Sequence, residues 1–181
     1  MFAEHIIYSA ALAILVGMVF YKYTGRDSSW IIILFAFVPD LDYITGHHGT
    51  FHNIGVMVIF GIAMAFLLHP LGIKFFDSLF FSIIGFGAHL FEDALVYKVG
   101  YMFLWPLSSQ ILGIGLFPDI LNEDYYTKDF FGIANTEVLI IGLVLLLTAF
   151  LIRTYYEGSL SWLRWYLPDR VYRAVFVPQN R

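Results

Sequence analysis

Apolar residues fall in long blocks, separated by short polar stretches punctuated with glycine and proline. A helix needs about 20 mostly apolar residues to cross hydrocarbon. The first block runs from His5 to Tyr23 and is closed by Lys22, Gly25 and Arg26. The second, Trp30 to Val38, stops at Pro39-Asp40; it is too short to cross alone, although continuing to Ile44 carries it nearer the far side. The third runs from Phe51 to Leu68 and ends at His69-Pro70. The fourth, Phe75 to Tyr97, carries His89, Glu92 and Asp93 near its end, and the fifth, Ile133 to Ile152, holds only Glu137 near its start. The pattern predicts an all-α integral membrane protein with about five transmembrane helices, the second short or re-entrant. Residues 1–157 form the helical domain, and residues 158–181 form a tail in which Trp162, Arg164, Trp165 and Tyr166 suit the headgroup interface. Between the last two blocks lies an aromatic loop, Gly100 to Phe131, with Trp105-Pro106, Phe117-Pro118 and an acidic patch of Glu123, Asp124 and Asp129.

Composition agrees with lipid as the solvent. Of 181 residues, 60% are hydrophobic and 13% charged, against roughly 25% charged in soluble domains. The length allows one compact domain. Without cysteine, disulfides and thiolate metal sites are excluded, so any bound metal rests on His and Asp or Glu, which favours zinc or a similar divalent ion. The net charge of -4 argues against nucleic acid as a partner. The start lacks a basic n-region and a small-residue cleavage site, so the first block is expected to be retained.

Orientation follows from the basic residues. Arg153, Arg164, Arg170, Arg173 and Arg181 in the tail place the C-terminus in the cytoplasm. Five crossings then put the N-terminus outside, with Lys22, Arg26 and Lys74 inside. His5, the stretch from Asp40 to His52, and the His89–Asp93 end of the fourth block all fall at the outer face. That conclusion depends on the second block crossing.

Ionisable groups in apolar spans cost several kcal/mol unless they are paired or metal-bound, which makes them functional candidates. His89 and Asp93 are four residues apart and share a helix face. His47 and His52 flank a turn containing Gly49, and Asp40 and Asp42 follow a helix-ending proline, where alternate residues of an extended segment would point the same way. With His5 these make a nitrogen–oxygen donor set matching zinc, two ions by its density. The metal candidates are His5, Asp40, His47, His52, His89 and Asp93; Asp40 and Asp42 are the candidate general bases. Other polar residues read more plainly. His69 before Pro70 is an interfacial residue, His48 is as readily a solvated neighbour of His47, Asp42 can cap a turn, and Glu92 points away from Asp93 into a supporting role.

At these residues the chain resembles the YdjM-like family of membrane-bound metal-dependent hydrolases. That family's pattern is an early His, Leu-Pro-Asp-x-Asp-His, His-Arg-Gly-x-Thr-His-Ser, a later His-x-x-x-Asp, and Trp-Pro. Here it reads His5, Val38-Pro39-Asp40-Leu41-Asp42, His47-His48-Gly49-Thr50-Phe51-His52-Asn53, His89 to Asp93, and Leu104-Trp105-Pro106. Tyr43 stands in place of the His, His48 in place of Arg, Asn53 in place of Ser, and Thr50-Phe51 inverts the usual order. The same ordered set is similar to the metal core of zinc-dependent phospholipase C. That likeness implies Asp93 as a bridging carboxylate, His5 on one zinc, and Asp40, His52 and His89 on the other; the His-x-x-x-Glu of a third zinc is not found.

The resemblance implies a membrane-embedded hydrolase with di-zinc chemistry, acting on a phosphoester of a lipid or lipid-linked substrate such as a phospholipid. Two other readings use the same residues: a divalent-metal transporter or sensor, and a structural zinc site holding helices together.

Overall fold

A computed structural model of the chain describes residues 2–45, 50–96, 101–113 and 136–176. Its helices are α1 (Phe2–Thr24), α2 (Trp30–Leu34), α3 (Ile54–Leu68), α4 (Phe75–Val96), α5 (Thr136–Glu157) and α6 (Asp169–Phe176). Short 3-10 turns cover Pro39–Thr45, His69–Leu71 and Ser161–Trp165. Among the described residues the only pairing outside helices is an isolated antiparallel bridge between Tyr101 and Leu112. Four helices, α1, α3, α4 and α5, are long and apolar enough to cross a membrane. They turn large side chains such as Ile59, Phe66, Leu145 and Leu147 outward. Small residues face neighbouring helices, as Gly61 and Ala65 do on α3; close backbone approach drives helix association where lipid removes the hydrophobic incentive.

The second apolar block is not a fifth long helix. Its helical part is five residues, followed by a turn and the Pro39–Thr45 segment. It nevertheless returns the chain from one end of the bundle to the other. Asp27 and Ser29 sit against Gly17, where a Cβ would meet Asp27 Oδ2 at 2.7 Å and collide with Ser29 Oγ. Further along, the Ala36 carbonyl lies 2.8 Å from His89 Nδ1. Gly17 is twelve residues below His5 on α1, about 18 Å of helical rise. Gly85 lets α2 pack tightly, since a Cβ there would lie 2.7 Å from the Ile32 carbonyl oxygen. The alternation of chain direction therefore survives. α5 runs parallel to α1, with Tyr8 Oη donating to the Val138 carbonyl at 2.8 Å near one end and Lys22 Nζ donating to Tyr156 Oη at 3.0 Å near the other.

At the end away from His5, a second polar cluster joins three parts of the chain. Arg153 of α5, fully buried, pairs with Asp27 at 2.7 Å and with Glu157 at 2.8 Å. Its Nη1 also donates to Tyr166 Oη at 3.0 Å, and that hydroxyl lies 2.6 Å from Ser29 Oγ. Trp162 is 1% exposed and packs over the guanidinium with 4.9 Å to its ring. The first part of the tail is thus built into the bundle, and the exposed amphipathic stretch is α6, where Val171 and Val175 stand clear.

Candidate metal centre

Five ionisable side chains from four segments meet at one end of the bundle. α1 brings His5, the 3-10 segment brings Asp40, the residue before the Asn53 cap of α3 is His52, and α4 brings His89 and Asp93; each is at most 5% exposed. The local structure explains their placement. Asn53 Oδ1 accepts from Val56 N at 2.9 Å, a side-chain cap that starts α3 and holds His52 just outside it. Trp105 and Pro106 dock on the same helix start, with Gly55 N donating to the Trp105 carbonyl at 3.0 Å. A Cβ at Gly55 would lie 2.9 Å from Pro106 Cδ. The Tyr101 ring stacks on His52 with centroids 4.6 Å apart, and His5 stacks on His89 at 4.1 Å.

The three imidazoles share one design. Each Nδ1 faces an acceptor outside the cluster: Glu92 Oε2 for His5 at 3.0 Å, Asp42 Oδ2 for His52 at 3.4 Å, and the Ala36 carbonyl for His89 at 2.8 Å. A carbonyl can only accept, so His89 Nδ1 carries a proton, and the two carboxylates assign the same tautomer to His5 and His52. The Nε2 atoms then point inward. His52 Nε2 is 3.2 Å from Asp93 Oδ2 and 3.5 Å from Asp40 Oδ1. His89 Nε2 is 3.3 Å from Asp93 Oδ2 and 3.7 Å from Asp40 Oδ1. The two Nε2 atoms are 3.4 Å apart. His5 Nε2 faces the other oxygens, Asp93 Oδ1 at 3.7 Å and Asp40 Oδ2 at 3.9 Å. Asp40 and Asp93 each turn one oxygen to His5 and the other to the pair His52 and His89.

Lone pairs aimed at lone pairs repel unless a positive charge lies between them. Burial disfavours a charged His52, but hydrogen bonds to Asp40, Asp42 and Asp93 prevail and push it up to about 11. Asp40 is correspondingly held below the usual carboxylate range: burial opposes this, and the His52 hydrogen bond with the His89 and His5 imidazoles prevails. Protons can supply the missing charge; so can a divalent cation. The donors fit such an ion. Asp40 Oδ2 is buried without a hydrogen-bond partner among the described residues, which in a buried carboxylate calls for a ligand. His5, His89 and Asp93 form one group with donor atoms within 4.8 Å of one another, and Asp40, His52 and His89 form a second. Nitrogen and carboxylate oxygen at this density suit zinc, and metal-bound histidines characteristically have the opposite ring nitrogen tied to a carboxylate or carbonyl.

The profile of the YdjM inner membrane protein family matches residues 1–160. The chain belongs to that family. The match spans the four long helices and all five clustered residues, and it agrees with an integral membrane protein. No curated protein and no solved structure matches the chain.

One sequence expectation changes on this geometry. Asp40 and Asp42 do not lie in an extended segment pointing the same way. A 3-10 helix turns about 120° per residue, so Asp40 faces the Nε2 atoms while Asp42 lies on the other side of His52, accepting from Phe51 N at 2.9 Å. Asp42 therefore orients an imidazole. His69 stands on the 3-10 turn at the opposite end of the bundle, with its Nδ1 3.4 Å from the Ile73 carbonyl. His47 and His48 lie outside the described residues, as do Glu123, Asp124 and Asp129. Sequence reasoning missed the Ala36 carbonyl, which carries no side-chain signal. It also left Glu92 without a partner, although Glu92 follows His89 by three residues and so lies near the same helix face.

Proposed function

We propose that this protein is a membrane-embedded, metal-dependent hydrolase that holds two divalent ions, zinc foremost, and cleaves a phosphoester of a lipid or lipid-linked substrate. The observation that carries this reading is the convergence of three Nε2 atoms on two carboxylates, with every Nδ1 tied off from behind. With neutral imidazoles, the four carboxylates in contact with them carry a charge that two divalent ions would balance. Bound ions of this kind supply Lewis acidity toward phosphoryl oxygens and lower the pKa of a water to about 7.

The chain's own residues have distinct parts in this reading. His5, His52 and His89 would present fixed lone pairs, and Asp93 and Asp40 would supply carboxylate oxygens beside them. Asp40 Oδ2, the oxygen without a hydrogen-bond partner among the described residues, is the group placed to take a proton from an attacking water. Asp42 and Glu92 keep the rings from turning. A site built at the end of four apolar helices is reached most directly by a substrate already in the bilayer. The arginine-rich tail supports a cytoplasmic C-terminus, with the cluster at the extracytoplasmic face.

The test is Asp93→Asn, purified with the wild type and compared by metal analysis and by a phosphatase and phosphodiesterase screen on lipid extracts. We expect the wild type to carry metal and release a phosphorylated or dephosphorylated product in a chelator-sensitive way, and the variant to lose both. Wild-type protein without metal, or activity indifferent to chelator, would sink the reading.

A further inference from the structure

Beside the cluster runs an apolar groove of about 480 Å³, within the roughly 300–1,000 Å³ of small-molecule sites. Gly87, Leu90, Phe91 and Ala94 form its α4 wall and Ile54 and Met57 its α3 wall, with the 101–113 loop closing one end. All nine lining residues are apolar or glycine. The groove lies at the level of the cluster, because its α4 residues interleave with His89, Glu92 and Asp93, and Ile54 is two residues from His52. The loop that closes it is the one whose Tyr101 stacks on His52. That loop exposes Trp105 and Leu107 at this end of the helices, a composition suited to the headgroup region.

We propose that this groove binds one hydrocarbon chain of an amphiphile whose phosphate-bearing head enters the His–Asp cluster. It rests on the hydrolase reading for the chemistry of the head. The reason for committing to this occupant is adjacency of opposites: an uncharged trough leads alongside a buried centre that attracts cations and through them a phosphate. The bundle supplies its own control. A groove of about 430 Å³ between α1 and α4, lined by Val19, Tyr23 and Phe80 among others, is equally apolar but lies toward the opposite end. Ordinary bilayer lipid would fill both; a substrate chain would select the first.

The experiment uses the full chain in phosphatidylcholine nanodiscs with added Zn²⁺ and a phosphatidic acid carrying a mid-chain diazirine. A diacylglycerol with the same chain is the head-free control, and the phosphatidic acid is used as its non-hydrolysable phosphonate so that the proposed cleavage cannot turn one probe into the other. After irradiation, labelled positions are mapped by mass spectrometry. The phosphatidic acid should label Met57, Leu90 or Phe91 well above Val19 or Tyr23, and above the diacylglycerol. Gly87→Leu should weaken labelling severalfold by filling the groove, with Zn²⁺ content unchanged; Val19→Phe should leave it intact. A Cβ at Gly87 meets Met57 Sδ at 3.6 Å, an ordinary contact, and Ala94→Leu serves as a second blocking variant. Equal labelling of both grooves, equal labelling by the two probes, or full labelling of both blocked variants overturns the proposal. Selective labelling without phosphoester cleavage in the lipid-extract screen would support the groove while counting against the hydrolase reading, so the two fail separately.

Discussion

Arg153 and His89 are both buried, at 0% and 1% exposure, and each anchors a polar cluster in the same apolar bundle. The Arg153 cluster contains its own cation: the guanidinium meets Asp27 and Glu157 and donates to Tyr166. The His89 cluster gathers carboxylates around three imidazoles. The described lysines and arginines lie toward the opposite end of the helices or in the tail. One cluster is closed by the chain and works as a clip between α1, α5 and the tail. The other holds its carboxylates against histidines, which are positive only when protonated. Burial of ionisable groups therefore does not by itself mark a functional candidate; a cluster without a permanent cation of its own does.

The largest expected effect separates the clusters by stability. Asp27→Asn removes one partner of a buried pair, a change that costs about 3 to 5 kcal/mol when the remaining charge is left uncompensated. Glu157 remains beside Arg153, which favours the lower part of that range. We expect a lower thermal midpoint in detergent and unchanged metal content. A midpoint within a degree of wild type would mean that the clip is not what fastens the tail.

The next effect runs the other way. Adding Zn²⁺ at a hundred times its Kd stabilises a protein that binds only when folded by about 2.7 kcal/mol. Wild type and Asp27→Asn should gain equally in a thermal-shift titration, and Asp93→Asn should gain little. If Asp93→Asn is stabilised as much as wild type, the bridging assignment is wrong.

These contrasts also mark what the sequence could disclose. The four long helices were legible because their apolar runs exceed the span of the bilayer, whereas Trp30 to Val38 was ambiguous because only five of its residues are helical and its course is set by Gly17 and Gly85 on its neighbours. His5, Asp40, His52, His89 and Asp93 stood out because such residues are expensive among Phe, Ile and Leu. The divergence of Asp40 and Asp42 was not legible, since an extended segment and a 3-10 turn both follow proline. Arg153 read only as one of the basic residues that mark the cytoplasmic side. Glu157 four residues on was the signal that it is held in a fixed pair; Asp27, 126 positions away, could be joined to it only by the fold.

A smaller effect sharpens the comparison within one element type. Glu92 and Glu157 each contact a basic side chain, His5 at 3.0 Å and Arg153 at 2.8 Å. Outer partners of metal-bound histidines are worth roughly 10- to 100-fold in metal affinity. Glu92→Gln should weaken Co²⁺ binding by about that factor, read from the visible spectrum of the bound ion, while Glu157→Gln leaves the spectrum and affinity alone. Equal affinities for the two variants would reduce Glu92 to a packing residue.

The finest distinction is in pH. His52, pushed up to about 11, is protonated in the metal-free protein at neutral pH. Its ordinary value is about 6.5. A raised value stabilises the metal-free fold fully below about 6.5, and this contribution fades as pH rises toward 11. Metal binding needs the Nε2 lone pair, so it expels that proton, and affinity falls as pH falls. One proton released per ion gives about a tenfold change in affinity per pH unit, or 1.4 kcal/mol. Between pH 6 and 8, Zn²⁺ affinity by competition titration should therefore rise with pH, while the stability lost in Asp27→Asn stays constant, since a guanidinium does not titrate there. A flat Zn²⁺ profile would show that His52 carries no proton to lose, and the inward Nε2 atoms would need another source of charge.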